Sequence, residues 1–281
     1  SGYCDGTRNA LKQVGAALDA ARGKRVVTVG PIVHNPQVVA ATAKRGAHAV
    51  SCADDVPAGA VAVIRAHGVA SGELEKLGSK GIEIFNGVCG NVTAIHRKIE
   101  KYGARGFQIF LCGEAGHAET AGHLSRCGSG ATLLSSVADS IQATYSGKPA
   151  VLIAQTSFDK DEFAGIAEAL KKRIKDLVVE ETLCEWMRKA QTAAETLAKR
   201  VDVMIVVGGH GSANTIRLAE RSAATGARTI HVETNDELKE ADFPCAADVG
   251  ITAGASTPPE SVEGVLNWLR ERFRAETAME K

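Results

Sequence analysis

GYCDGTRNALKQVGAALDAARGKRVVTVGPIVH, residues 2–34, carries the pattern that decides the fold. Cys4 stands just ahead of a helix-length segment; the apolar strand KRVVTVG follows and stops at Gly30, and the fourth residue beyond that glycine is His34. The same order recurs behind Cys89, where FQIFLCG ends at Gly113 and leads to His117, and behind Cys184, where VDVMIVVGG runs through Gly208 to Ser212. The interval from cysteine to glycine varies by only two residues among the three, so the chain is a diverged threefold repeat. Each unit then offers a helix and a second apolar strand with a polar end: AVAVIRAHG with His67, AVLIAQTS with Thr156, and DVGITAGAS with Ser256. Strands alternating with helices predict an α/β fold, with three similar domains over 1–87, 88–182 and 183–281 and small, mostly parallel sheets. Ligands of such sheets gather at the carboxyl ends of strands. Three units arranged pseudo-threefold would turn all their strand ends toward one centre.

A chain of 281 residues suits two or three compact units rather than one small core. Hydrophobic residues at 44% and charged residues at 23%, without runs of like charge, fit an ordinary globular protein. The formal net charge is zero, which gives no footing for nucleic acid or an anionic membrane surface. No apolar stretch approaches the ~20 residues that span a bilayer, and no charged-then-apolar signal segment opens the sequence, so the cytoplasm is the expected compartment. The cysteines are Cys4, Cys52, Cys89, Cys112, Cys127, Cys184 and Cys245. An odd number without an export signal argues against a disulfide framework and leaves core thiols or ligands.

Cys4, Cys89 and Cys184 occupy one position of the repeat, each at a helix start, where the dipole and unpaired N–H groups favour thiolate. Three thiolates fit a cubane iron–sulfur cluster with one iron left open; a three-cysteine zinc site is the alternative. Cys52, Cys112, Cys127 and Cys245 do not recur and read as packing residues. His34, His67 and His117, with Ser212, Asn214 and Ser256, supply donors of the kind that hold phosphate oxygens. Histidine protonation can also feed a reaction. Glu119, beside His117, is a carboxylate next to an anion site, a position that suits a proton-carrying acid; the plainer reading is a helix-start glutamate.

The motifs GYCDGTRNA, PIVHNPQVV, RAHGV, VCGNVTAIHRKI, GEAGHAETAG, AQTSF, VVGGHGSANTIRLAE and GITAGASTPPESV together resemble the 4-hydroxy-3-methylbut-2-enyl diphosphate reductase family over nearly the whole chain. That resemblance implies three α/β domains around a central [4Fe–4S] cluster. It also implies an oxidoreductase of the non-mevalonate isoprenoid pathway, removing an allylic hydroxyl by two electrons and two protons to give isopentenyl and dimethylallyl diphosphate. Carried over by position, Cys4, Cys89 and Cys184 would hold the cluster, and His34, His67, His117, Ser212, Asn214 and Ser256 the diphosphate. Glu119 and Thr156, with His117, would be catalytic, and ferredoxin or flavodoxin would supply electrons. The sequence departs from the family at four places. Gly90 follows the second cysteine where the family has proline; Glu185, Trp186, Met187 and Arg188 replace small polar residues; Ala213 replaces the second of two serines; and the family's strand ahead of the glycine–aromatic–cysteine stretch is not in this sequence. Two other readings remain: the same cluster acting on a different substrate, as in quinolinate synthase, which also builds three units round three cysteines, or a non-catalytic redox sensor or relay.

Overall fold

The computed structural model describes residues 2–243 and 248–273; Cys245 lies outside them. Three parallel sheets form, each inside one of the three expected segments. The first contains β1 (Val26–Val29), β2 (Ala47–Val50), β3 (Val61–Ile64) and β4 (Glu83–Asn86), in the order β2-β1-β3-β4. The second contains β5 (Gln108–Cys112), β6 (Ala131–Leu134), β7 (Ala150–Ala154) and β8 (Val178–Val179), in the order β6-β5-β7-β8. The third contains β9 (Val203–Val207), β10 (Arg228–Val232) and β11 (Val249–Ala253), in the order β10-β9-β11. In every sheet the strand that leads to the repeated glycine lies in the middle, flanked by the next two strands in sequence.

Helices connect the strands: α1 (Asp5–Ala20), α2 (Pro36–Lys44), α3 (Ser71–Ser79), α4 (Gly90–Ala104), α5 (Ala118–Leu124), α6 (Val137–Gln142), α7 (Lys160–Lys171), α8 (Glu185–Ala198), α9 (Ala213–Ala223) and α10 (Pro259–Phe273). Parallel strands covered on both faces read as continuous apolar runs, and their side chains alternate between two cores. In the second sheet Phe110, Cys112 and Leu152 join Phe163, Ile166 and Leu170 on one face. Ile109, Leu111, Val151 and Ile153 meet Ile95 and Ile99 of α4 on the other.

The repeated glycine has the same backbone role three times. Its N–H donates to the last residue of the neighbouring strand: Gly30 to Val50 (2.8 Å), Gly113 to Leu134 (3.0 Å) and Gly208 to Val232 (2.8 Å). Side chains crowd the turn beyond. A Cβ at Gly30, whose φ is +79°, would lie 2.6 Å from Arg65 Nη1, and one at Gly113 would lie 2.7 Å from Thr120 Oγ1. Glycine is the residue that accommodates both demands.

The chain groups into two compact units. Ser1–Thr7, Val33–Ala41 and Glu185–Lys281 form the smaller, which holds the third sheet. Arg8–Ile32 and Thr42–Cys184 form the larger, which holds the first two. Among the described residues no helix is long and apolar enough to cross a membrane.

Candidate active site

Each candidate ligand cysteine is pinned by its own backbone N–H to a strand end. Cys89 donates to Ala66 (2.9 Å), Cys184 to Thr156 (2.9 Å) and Cys4 to Ala255 (3.0 Å). The acceptors stand two residues beyond the ends of β3, β7 and β11, so this bond is equivalent in the three repeats. Spacing alone matched Thr156 to His67 and Ser256. The hydrogen bonds shift that register by one: Thr156 matches Ala66 and Ala255, and Ser157 matches His67 and Ser256.

All three cysteines are half-buried and outside any disulfide, directly before α1, α4 and α8. The Thr7 N–H in the first turn of α1 donates to Cys4 Sγ at 3.4 Å, and Asn91 Nδ2 in the first turn of α4 donates to Cys184 Sγ at 3.4 Å. Burial raises the Cys112 thiol well above the ordinary range and pushes Cys127 up to about 11. Both remain thiols at neutral pH, in keeping with a packing role. Among the described residues, no three His, Cys, Asp or Glu side chains form a group that could hold one metal ion.

In the larger unit Glu119 is buried, 1% exposed, in α5. Its Oε1 accepts the Thr156 backbone N–H at 2.6 Å, and its Oε2 accepts the Thr156 hydroxyl at 2.9 Å. His123 Nε2, one turn along the helix, lies 3.2 Å from Oε1. Burial pushes the Glu119 carboxyl up, but the His123 hydrogen bond and charge, the Thr156 N–H and His67 together outweigh it and hold Glu119 below the usual carboxylate range. His117 caps α5, its Nδ1 accepting the Glu119 N–H at 3.2 Å, and its ring meets that of His67 edge to face at 5.7 Å. His67, His117, Glu119 and Thr156 are therefore one constellation at the carboxyl ends of β3, β5 and β7.

In the smaller unit the Ser256 hydroxyl donates to the His34 carbonyl at 3.3 Å. That carbonyl lies 2.9 Å from where a Cβ at Gly209 would stand, so only glycine fits beside it. The Ser212 hydroxyl caps α9 by accepting the Thr215 N–H at 3.4 Å, which leaves its own proton to donate elsewhere. Asn214 is buried, 5% exposed, and neither amide atom of its side chain has a partner. A buried amide without partners costs about 1–3 kcal/mol, which a bound ligand would recover. Cys4, tied to Ala255, adjoins this set through Ser256.

Sequence reasoning missed three contributors. His123 had a signal in its spacing of four from Glu119, one helical turn. Asn91 and Gln155 had none, because their partners are distant in sequence: Cys184 for Asn91, and for Gln155 the Thr120 hydroxyl, which donates at 2.6 Å.

A family model described as LytB protein matches residues 1–270. The chain belongs to the LytB family. Relatives within that family include the 4-hydroxy-3-methylbut-2-enyl diphosphate reductase of Desulfovibrio desulfuricans, 35% identical over 275 residues that cover 96% of both chains. The protein of the same name from Anaeromyxobacter sp. strain K is 38% identical over 272 residues, again 96% of both. A solved structure titled as this reductase, the terminal enzyme of the non-mevalonate pathway, is 30% identical with a TM-score of 0.72, covering 96% of each chain. The E-1-hydroxy-2-methyl-but-2-enyl-4-diphosphate reductase from Plasmodium falciparum shares the fold, with a TM-score of 0.91 at 23% identity over 100% of this chain and 91% of the other. In this LytB chain Glu185 and Arg188 are exposed and Trp186 and Met187 half-buried in the first turn of α8, where the Arg188 guanidinium pairs with the Glu185 carboxylate and holds it below the usual range.

Proposed function

We propose that this chain is a [4Fe–4S]-dependent reductase. It removes the allylic hydroxyl of 4-hydroxy-3-methylbut-2-enyl diphosphate with two electrons and two protons, yielding isopentenyl and dimethylallyl diphosphate. The observation that supports this most directly is the repeated cysteine-to-strand-end hydrogen bond, which gives three half-buried thiols one backbone setting each. The donor set fits the cluster: three soft sulfur ligands, two of them receiving N–H bonds, for a cofactor with three irons held and one open. We read three domains, 1–87, 88–182 and 183–281, each lending one cysteine.

When bound, the cluster supplies electrons one at a time and an open iron that acts as a Lewis acid. The residues of this chain bind the substrate and handle protons. His34, His67, His117, Ser212, Asn214 and Ser256 act as donors to the diphosphate, and the partnerless amide of Asn214 gains its hydrogen bonds there. Glu119 holds the Thr156 hydroxyl and delivers protons through it. Departure of water is easier than departure of hydroxide, so a positioned acid accelerates the step. Ferredoxin or flavodoxin delivers the electrons.

Anaerobic purification tests this. The protein should be brown, with about four irons per chain, and should turn over the allylic diphosphate when reduced. Cys89→Ser should abolish the colour while Cys127→Ser retains it. Colourless protein with stoichiometric zinc, or cluster-loaded protein without turnover, overturns the assignment.

A further inference from the structure

We infer that His123 is the positioning residue of Glu119: it holds Oε1 from within α5 and shares a proton with it, so that the acid of this site is the His123–Glu119 pair rather than the glutamate alone. This rests on the proposed reductase reading for its catalytic meaning, but not for its structural content.

Geometry carries the argument. His123 is 0% exposed and Glu119 1%, and they stand one turn apart with Nε2 and Oε1 separated by 3.2 Å. The other hydrogen bonds to this carboxylate come from Thr156, its N–H at Oε1 and its hydroxyl at Oε2, so His123 is the one titratable group that bonds to it among the described residues. His123 Nδ1 is buried and has no partner. With both titratable protons of the pair removed, the bond is satisfied by neutral imidazole donating from Nε2 to the carboxylate, and Nδ1 keeps only a lone pair. One further proton puts N–H on Nδ1 and leaves a single proton between Nε2 and Oε1, on either atom. Thr156 Oγ1, on the opposite carboxylate oxygen, is the link from this pair to the strand end.

The surroundings direct the proton to this pair. His96 of α4 faces His123 edge to face at 5.0 Å, and burial, followed by the charges of Arg126 and His123, lowers it to about 3. It therefore stays neutral across the working range. Arg126, just beyond α5, carries the fixed positive charge, with Glu100 of α4 near it, while His67 faces Glu119 from the segment after β3. His117 is occupied at Nδ1 by the Glu119 N–H.

The test uses His123→Leu, which removes the hydrogen bond, and His123→Gln, which can donate to Oε1 but cannot take the extra proton. Infrared titration of the purified protein follows the carboxylic-acid C=O band that Glu119→Gln deletes. Without His123 two lowering influences disappear and burial remains, so the band should persist to higher pH in His123→Leu, with a smaller rise in His123→Gln. In the turnover assay both variants should lose kcat on the order of 10-fold to 10²-fold with KM near wild type, and the pH-rate limb should move with the band. A Glu119 band that titrates as in wild type in a folded variant overturns the proposal. Should His123→Leu fail to fold, His123→Gln decides. If the wild-type protein turns over no allylic diphosphate, the reductase reading fails, and the infrared titration still decides on the pair.

Discussion

Cys184 and Thr156 are joined through the backbone: the Cys184 N–H donates to the Thr156 carbonyl at 2.9 Å. Thr156 also gives its own N–H and hydroxyl to Glu119. One residue thus ties the candidate proton donor to a candidate cluster ligand, and a change in the carboxylate is felt one hydrogen bond away from the sulfur's chain segment.

Glu119→Gln should reduce turnover by about 10²–10⁴ while cluster content and substrate affinity persist. The amide oxygen replaces Oε1 and keeps the Thr156 N–H and His123, while the amide NH₂ faces the Thr156 hydroxyl, which can turn to accept. The fold survives and the transferable proton is lost. Single-turnover kinetics on cluster-loaded protein checks this, and wild-type rates would reduce Glu119 to a helix-start residue.

Asn214→Ala should weaken binding of inorganic diphosphate without lowering thermal stability. Its side-chain amide has no protein partner, so truncation breaks no internal hydrogen bond. A lost hydrogen bond to a charged ligand is worth roughly 1.5–3 kcal/mol, or about 10-fold to 150-fold in affinity. Calorimetric titration and a melting curve read both effects. Unchanged affinity would remove Asn214 from the anion site.

Acid should destabilise this protein before the carboxylate range is reached. The folded state holds His96 neutral down to about 3, whereas in the unfolded chain it takes up a proton near 6.5. The unfolded state therefore binds more protons as pH falls from 6.5 toward 3, and stability declines by up to about 1.4 kcal/mol per pH unit from this group. Glu119, also depressed, acts in the same direction below its ordinary value of 4.5, where the unfolded carboxyl protonates first. Denaturant unfolding of His96→Leu should show a flatter slope between 6.5 and the carboxylate range; an unaltered slope would exclude His96 as the cause.

Gly90→Pro should stabilise the chain by about 0.4–1 kcal/mol. Gly90 is the first residue of α4, where an N–H lacks an intrahelical acceptor and proline is favoured. Cys89 before it has φ −59° and ψ 140°, the conformation a following proline prefers, and a Cβ at Gly90 would meet no atom within 4 Å. A rise of roughly 1–3 °C in melting temperature with unchanged iron content is expected. A fall in either would mean that the turn needs glycine.

The sequence determined by itself the threefold order of cysteine, helix, strand and glycine, because apolar periodicity and the glycine requirement are local properties of the chain. The central strands β1, β5 and β9 and their partners β3, β7 and β11 were legible as unbroken apolar runs. The outer strands were not: β4 reads Glu-Ile-Phe-Asn, with Ile84 38% exposed, and β10 opens on an exposed arginine. Their pairing comes from the neighbouring strand rather than from their own composition. Tertiary structure alone decided that Thr156, not Ser157, anchors the third cysteine, that His123 stands on Glu119, and that the donors around this carboxylate outweigh its burial. Those outcomes depend on hydrogen bonds between segments far apart in sequence and on the balance of burial against nearby donors, and neither quantity exists until the chain has folded.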